Sequence, residues 1–207
     1  MAPRTEALKS VRGVVLAAGA GERMGGPKAL LVVEGEPLAL LHAKRLVESG
    51  CAPAVLVTRP ELAGRFGDCL PGDCMIAVST APDPAGSLAV GLDALAARSP
   101  LGDDDLLVIT PVDAWPARLA TLARLVAAVH DGADAATPRH SGRGGHPVVL
   151  RARVLGSFRD APRPLRDVLA DLGAGRVRID VDDPGVAIDL DSPGDVLRAT
   201  GAPPRFA

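Results

Sequence analysis

The chain has 207 residues, a length that suits one sizeable hydrophobic core and is short for two ordinary domains. Hydrophobic residues make up 47% and charged residues 23% of the chain, which excludes a disordered protein. The formal net charge of −2 excludes the basic field expected of a protein that binds nucleic acid or an anionic membrane. Aromatic residues make up only 2%, so we expect any base to be recognised by backbone groups and small side chains.

The cysteines and the apolar runs predict a cytoplasmic protein that has no contact with a membrane. Cys51, Cys69 and Cys74 form neither a CxxC motif nor a zinc-type pairing with histidine, so we expect reduced thiols. The apolar run Val14–Ala18 is shorter than the roughly 7–15 residues of an export signal. No stretch of the sequence approaches the ~18 apolar residues of a membrane span.

Short apolar runs alternate with amphipathic segments along the first part of the chain. We predict strands at Val14–Ala18, Ala54–Thr58, Met75–Val78 and Leu106–Ile109, and helices at Leu38–Ser49, Ser87–Arg98 and Pro116–His130. This alternation predicts an α/β fold, a three-layer Rossmann-like sandwich with a mainly parallel sheet. In such sheets ligands bind beyond the carboxyl ends of the strands, which directs attention to loops 17–28, 79–88 and 110–116.

The predicted elements become shorter beyond residue 133. We predict strands at Ala133–Thr137, Pro147–Leu150, Val177–Val181 and Val186–Leu190, and helices at Leu165–Leu172 and Ser192–Ala199. We interpret the extra strands as an insertion that covers one edge of the sheet. Residues 1–207 are therefore expected to form one domain, with loose termini at residues 1–11 and 201–207.

A glycine-rich loop with two cationic side chains follows the first predicted strand. Residues Leu16–Lys28 read LAAGAGERMGGPK, in which Gly19 and Gly21 allow the backbone to approach a ligand. Arg23 and Lys28 can hold phosphate oxygens. The spacing matches neither the GxGxxG of a dinucleotide-binding loop nor the GK[ST] of a P-loop. The alternative is a flexible glycine turn whose charges face the solvent.

Asp113 follows the apolar run Leu106–Ile109 in the segment TPVDAWP. A carboxylate at the carboxyl end of a strand is well placed for Mg²⁺, which takes one or two carboxylates together with phosphate oxygens. The alternative is a helix cap, because Asp113 lies three residues before Pro116.

Two later segments carry further polar side chains. His146 stands in the glycine-rich segment SGRGGHPV, where it either hydrogen-bonds a phosphate or closes a turn, and the nearby Arg139 and Arg143 would suit an anionic acceptor. Asp189 and Asp191 alternate in the segment IDLDSP, so both can face one ion. The alternative is that Asp191 or Ser192 caps the last helix.

The loop Leu16–Lys28 resembles the LAAGxGxRMGxxK signature of the MobA-like nucleotidyltransferases. This group includes the molybdenum cofactor cytidylyltransferases and guanylyltransferases. The segments that contain Asp113, His146 and Asp191 resemble further family elements in the same order, so the resemblance spans roughly residues 12–200. It implies a single Rossmann-like domain of the glycosyltransferase-A type that uses Mg²⁺ and a nucleoside triphosphate.

The resemblance also implies roles for individual residues. The implied catalytic residues are Arg23, Lys28 and Asp113. The implied nucleotide-binding residues are Leu16, Ala17, Ala18, Gly19, Gly21, Arg23, Lys28 and Ser87. Asp113 would bind the metal with Asp189 or Asp191, and His146 would lie on the acceptor side. Trp115 departs from the usual family pattern and is either part of the acceptor pocket or a hydrophobic plug at a helix start.

The reaction implied by the resemblance is transfer of a nucleotidyl group to a phosphorylated acceptor, with release of pyrophosphate. The pair Ala17-Ala18 and the Gly-His-Pro-Val element resemble the cytidylyltransferases more than the guanylyltransferases. We therefore expect CTP as the donor and molybdopterin as the acceptor, with a molybdoenzyme as a candidate protein partner. Two alternatives stay open: a guanylyl- or other nucleotidyltransferase that acts on a sugar phosphate, and a non-catalytic protein that binds a nucleotide or a molybdoenzyme.

Overall fold

The computed structural model describes residues 10–207, and its centre is an eight-stranded mixed sheet. The strands of this sheet are β1 (Val11–Ala17), β4 (Ala54–Thr58), β5 (Cys74–Val78), β6 (Leu106–Pro111), β7 (Ala135–His140), β8 (Arg143–Gly144), β9 (Val148–Arg151) and β10 (Arg176–Asp180). They are ordered β10-β7-β9-β6-β1-β4-β5, and β8 pairs with β7. The short strands β2 (Val32–Val33) and β3 (Glu36–Pro37) form a separate antiparallel pair.

Helices cover both faces of this sheet, which makes the three layers. The helices are α1 (Leu38–Glu48), α2 (Pro60–Ala63), α3 (Pro84–Arg98), α4 (Leu119–His130), α5 (Leu165–Asp171) and α6 (Pro193–Thr200). One hydrophobic core joins the sheet to α1, α4 and α6, and a second core joins the opposite face to α3 and α5. The predicted α/β sandwich with a mainly parallel sheet is confirmed. No helix among residues 10–207 is long and apolar enough to cross a membrane.

The central strands bring three loops to one edge of the sheet. Strand β1 lies between β6 and β4 and is parallel to both, with Leu16 opposite Pro111 and Ala17 opposite Thr58. Because parallel strands that share a register end together, the loops after β1 and β6 begin side by side, and the loop after β5 begins at the same edge, on the far side of β4 from β1. The apolar runs that predicted β1, β4 and β6 are buried because layers of helices cover both faces, whereas Val78 of β5 is exposed.

The segment that the sequence predicted as a strand at Val186–Leu190 is not one. Residues Pro184–Ala187 form a turn of 3₁₀ helix, and only Asp189 forms a bridge, to Ala114. A short apolar run cannot by itself distinguish a strand from a turn. Here Pro184 starts the turn, and Gly185 allows close approach of the Trp115 ring, since a Cβ on Gly185 would lie 2.6 Å from that side chain.

The helix predicted at Pro116–His130 begins later than the sequence indicated. Helix α4 starts at Leu119 rather than at Pro116. The buried Asp183 carboxylate accepts hydrogen bonds from the backbone nitrogen of Arg118, at 2.9 Å, and from the hydroxyl of Thr121, at 2.8 Å. Asp183, which is distant in sequence, therefore supplies the carboxylate at this helix start, and Asp113 is free of the capping role that we considered for it.

The ends of the chain also differ from expectation. Residues 1–9 of the predicted leader lie outside the described residues, and Val11 already belongs to β1. The segment 201–207, which was expected to be loose, is held at its end. Val32 donates to the carbonyl of Arg205 at 2.8 Å, and Ala207 donates to the carbonyl of Leu30 at 2.9 Å. The backbone hydrogen bonds explain why this proline-rich tail is ordered.

Replacement of Asp183 by alanine should destabilise the fold. The change leaves the backbone nitrogen of Arg118 and the hydroxyl of Thr121 without their acceptor in a buried position, which costs about 2–4 kcal/mol of unfolding free energy. Urea denaturation measures this loss. The control is Asp182→Ala, because Asp182 is the exposed neighbour. Equal unfolding free energies for the two variants would contradict the assignment.

Candidate active site

A cavity of about 440 Å³ opens beyond the carboxyl ends of β1 and β6. All three loops that were selected from the sequence contribute to its wall. The predicted nucleotide-binding residues on the wall are Leu16, Ala18, Gly19, Gly21, Arg23, Lys28 and Ser87. Ala17 does not line the cavity, because it is fully buried in the core on one face of the sheet. Any contribution of Ala17 to binding must therefore act through the backbone or through its neighbours.

The glycine-rich loop has a defined shape that depends on one of its glycines. Gly21 has φ 69°, and a Cβ at this position would lie 2.3 Å from the carbonyl oxygen of Gly26. Only glycine fits, since the loop folds back on itself at this point. The side chain of Met24 anchors the loop in the core. The exposed Arg23 and the largely buried Lys28 are therefore presented from a constrained backbone rather than from a flexible turn.

The C-terminal segment 201–207 packs against the glycine-rich loop through Phe206. The ring of Phe206 lies against Gly26, where an added Cβ would approach three ring atoms to 3.0 Å. Phe206 itself packs on the hydrophobic core of α1. The guanidinium of Arg65 donates to the backbone oxygen of Ala207 at 2.9 Å, which secures the tail on its other side.

Lys28 connects the glycine-rich loop to both late acidic segments. Its ammonium nitrogen lies 2.9 Å from Oδ2 of Asp113 and 2.7 Å from Oδ1 of Asp191. The Lys28 side chain is 13% exposed, whereas those of Asp113 and Asp191 are 34% and 52% exposed at the cavity wall. Burial lowers the pKa of Lys28, but the hydrogen bonds that its ammonium donates to the carboxylates of Asp191 and Asp113, together with their negative charges, outweigh that effect and raise the pKa. Lys28 is therefore a fixed positive charge.

Asp113 and Asp191 are held together by a short antiparallel contact. Leu190 donates its backbone N–H to the carbonyl of Asp113 at 2.7 Å, and Trp115 donates to the carbonyl of Ile188 at 2.9 Å. This contact contains the single bridge between Ala114 and Asp189. The loop after β6 is thus paired directly with the segment before α6, which explains how side chains from two distant motifs meet.

The carboxylates at this point suit a hard divalent cation, although they are not gathered into a complete protein site. Asp113 and Asp191 face the same ammonium group, and two carboxylates completed by phosphate oxygens are typical ligands of Mg²⁺. Burial raises the pKa of Asp189; the carboxylates of Asp113 and Asp191 act in the same direction, and His146 and Lys28 oppose it. Among residues 10–207, no group of three acidic, histidine or cysteine side chains is arranged to hold a metal by itself.

His146 lies on the far side of these carboxylates. Its backbone N–H donates to the carbonyl of Val186 at 3.0 Å, and a Cβ on the preceding Gly145 would lie 1.5 Å from that same oxygen. Burial lowers the pKa of His146, and the nearby charges of Asp189 and Asp113 oppose the shift. The segment is therefore packed tightly, and Nδ1 of His146 is a buried polar atom without a hydrogen-bond partner among residues 10–207.

The two arginines that suggested an anionic acceptor differ in their surroundings. Arg139 is held by two hydrogen bonds of 2.7 Å to the carboxylate of Asp180. Arg143 instead lines a second hollow of about 230 Å³, together with Asp189 and Arg198. This hollow contains Asp189 of the acidic group and shares no lining residue with the main cavity, so Arg143 rather than Arg139 is placed to meet a ligand there.

Ser87 has a partner that the sequence did not reveal. The hydroxyl oxygens of Ser79 and Ser87 are 3.1 Å apart, and both side chains are buried. Helix α3 begins earlier than predicted, with Asp83 accepting a hydrogen bond from the backbone of Gly86 at 2.8 Å. Ser79 follows directly after β5, and a single serine after a strand has no distinctive sequence pattern, so only the fold identifies this pair.

Comparison with known proteins assigns the chain to a family. The model of the MobA-like NTP transferase domain matches residues 13–177. A homolog of Rv0371c from Mycobacterium sp. strain JC1 is 25% identical, with a TM-score of 0.73, over 93% of this chain and 96% of that chain. Rv0371c from Mycobacterium tuberculosis H37Rv is 22% identical, with a TM-score of 0.71, over 95% and 100% of the two chains.

A more distant structure shares the fold. CMP:2-keto-3-deoxy-manno-octonic acid synthetase is 15% identical, with a TM-score of 0.67, over 94% of this chain and 100% of that chain. No curated protein matches the chain. The family match covers most of the chain, including the glycine-rich loop and Asp113. The chain therefore belongs to the MobA-like NTP transferase family, and it is a nucleotidyltransferase.

Proposed function

We propose that this nucleotidyltransferase uses Mg²⁺ to transfer CMP from CTP to a phosphorylated acceptor, with molybdopterin as the acceptor. The observation that carries the proposal is the position of the Lys28 ammonium, 2.9 Å from Asp113 and 2.7 Å from Asp191 at the wall of the cavity. One point thus combines a phosphate-binding cation with two carboxylates that suit a metal.

The glycine-rich loop would hold the triphosphate. Its backbone N–H groups and the side chains of Arg23 and Lys28 line the cavity. Positive groups arranged before the substrate arrives stabilise the charge that develops on a leaving pyrophosphate. The constrained turn at Gly21 serves this purpose, since a loop that is already shaped loses less conformational entropy when it binds.

The carboxylates of Asp113 and of Asp191 or Asp189 would hold Mg²⁺ beside the α-phosphate. The metal supplies charge neutralisation and alignment of the phosphate oxygens when it is bound. A structure of Rv0371c was determined as a complex with manganese, which supports a divalent cation in this family. Asp191 shares Lys28 with Asp113 and lines the main cavity, whereas Asp189 lines the second hollow. The different positions of the two carboxylates favour Asp191 over Asp189 as the second metal ligand beside Asp113.

The chemistry requires positioning more than proton transfer. An oxygen of the acceptor phosphate would attack the α-phosphorus in line as the bond from the α-phosphorus to the bridging oxygen of the β-phosphate breaks. Pyrophosphate then leaves with that oxygen. Because the attacking phosphate is already an anion, no general base is needed, and alignment and charge neutralisation provide the rate enhancement.

CTP is preferred as the donor on two grounds. The pair Ala17-Ala18 resembles the cytidylyltransferase form of the signature, and the structurally similar CMP:2-keto-3-deoxy-manno-octonic acid synthetase was determined as a complex with CTP. The segment from Ser79 to Ser87 would face the base. Three of its residues, Ala81, Pro82 and Ser87, line the same cavity as the glycine-rich loop that would hold the triphosphate. Ser87 offers a hydroxyl there.

The acceptor would approach from the side of His146 and the second hollow. Arg143 at that hollow provides positive charge beside Asp189, whereas Arg198 there is paired with the carboxylate of Asp195. His146 has an unpaired Nδ1 among the described residues and can hydrogen-bond an acceptor oxygen. Trp115 is not among the residues that line either cavity, so it would act on the acceptor side by supporting the segment at Gly185, over which its ring packs.

Replacement of Asp113 by asparagine should reduce kcat by about 100-fold or more, because the neutral amide neither binds a divalent cation well nor balances the charge of Lys28. Pyrophosphate release from CTP and molybdopterin measures this effect. The control Asp131→Asn changes an exposed aspartate at the end of α4 and should leave kcat unchanged. Full activity of Asp113→Asn would remove Asp113 from the metal site.

The donor base is tested with the four nucleoside triphosphates. With Mg²⁺ and molybdopterin, CTP should give the highest kcat/KM, and EDTA should abolish release of pyrophosphate. A preference for GTP would overturn the assignment of the base and retain the enzyme class. Release with a sugar phosphate but not with molybdopterin would overturn the acceptor.

A further inference from the structure

The loop that carries Asp113 and Trp115 rests on a buried histidine of helix α1. The ring nitrogen Nε2 of His42 lies 2.9 Å from the carbonyl oxygen of Ala114, and His42 is only 3% exposed. The other buried residues of α1 are all apolar: Leu38, Ala39, Leu40, Leu41, Ala43 and Leu46. A polar side chain on such a face is costly unless it is paired. The partner here is the backbone between Asp113 and Trp115.

The charge state of His42 follows from its surroundings. Burial lowers the pKa of His42 to about 4, against the opposing effects of the Ala114 and Val112 backbone and of Asp113. The imidazole is therefore neutral at neutral pH. Because a carbonyl oxygen can only accept, the hydrogen of the neutral ring must lie on Nε2 for this contact to be a hydrogen bond.

We infer that His42 is a positioning residue, which fixes the Asp113–Trp115 loop by donating to the carbonyl of Ala114. On the other side of the loop, Asp113 accepts from Leu190 and Trp115 donates to Ile188. His42 of helix α1 thus restrains the Asp113–Trp115 loop on one side, and the backbone of the segment before α6 restrains the same loop on the other side. Loss of either restraint allows Asp113 to move relative to Lys28 and Asp191. The consequence for catalysis rests on the proposed function, whereas the structural restraint does not.

The test compares three variants. His42→Leu removes the donor and keeps a similar volume. His42→Gln can return an N–H donor close to the position of Nε2. Leu46→Ala is the matched control, because Leu46 is a buried residue of the same helix whose side chain packs near Gly13 and Cys51 rather than at the loop. Leu46→Ala should lower stability through a cavity without releasing Ala114.

Trp115 provides a readout that does not require activity, because it is the only tryptophan of the chain. His42→Leu should shift the fluorescence emission of Trp115 and increase its quenching by acrylamide under conditions in which urea denaturation shows the protein to be folded. His42→Gln should restore most of the wild-type signal, and Leu46→Ala should leave it unchanged. With CTP and Mg²⁺, His42→Leu should lower kcat about tenfold or more while KM for CTP changes less than about threefold, since the triphosphate loop is intact.

The outcomes separate this inference from the proposed function. A wild-type protein that releases no pyrophosphate, together with the expected Trp115 response, would refute the proposed function and retain the positioning role. Unchanged Trp115 fluorescence in folded His42→Leu would overturn the positioning role even if the enzyme is active. A fluorescence change of equal size in Leu46→Ala would also overturn it, because the effect would then follow general destabilisation.

Discussion

The contact between Lys28 and two carboxylates is the point on which the site depends. Asp113 lies 85 residues from Lys28 in sequence, and Asp191 lies 163 residues away. For this contact to exist, the loops that carry Asp113 and Asp191 must both reach hydrogen-bond distance of the Lys28 ammonium on the glycine-rich loop. Such agreement between distant segments requires a rigid frame, because loops alone sample many arrangements.

That frame is the parallel centre of the sheet. Strands β1 and β6 are buried on both faces and run in register, so the glycine-rich loop and the loop of Asp113 start from neighbouring points. Restraints from outside the sheet then complete the site. Phe206 supports the glycine-rich loop at Gly26, and His42 contacts the Asp113 loop through the carbonyl of Ala114. The segment 188–190 holds the other side of that loop.

Local patterns predicted the elements whose burial is uniform. The apolar run in β1 and the helical spacing of the leucines in α1 indicated these elements correctly, because those apolar residues pack in the hydrophobic core. Prediction was wrong where distant residues decide the local structure. Helix α4 starts at Leu119 because Asp183 supplies a carboxylate there, and the tail is ordered because Arg205 pairs with Val32. Neither partner can be recognised from the neighbouring sequence.

The sequence by itself determined the chemical groups of the candidate site. The glycine spacing, the two cations of the loop and an aspartate after a buried strand are local features, and their identity follows from short-range patterns. Only the tertiary structure decided how these groups are combined: that Asp191 rather than Asp189 shares Lys28 with Asp113, that Arg139 is occupied by Asp180, and that Ala17 faces the core. The physical reason is that hydrogen bonds and ion pairs between distant segments depend on the packing of the whole sheet and its helices, which no local pattern contains.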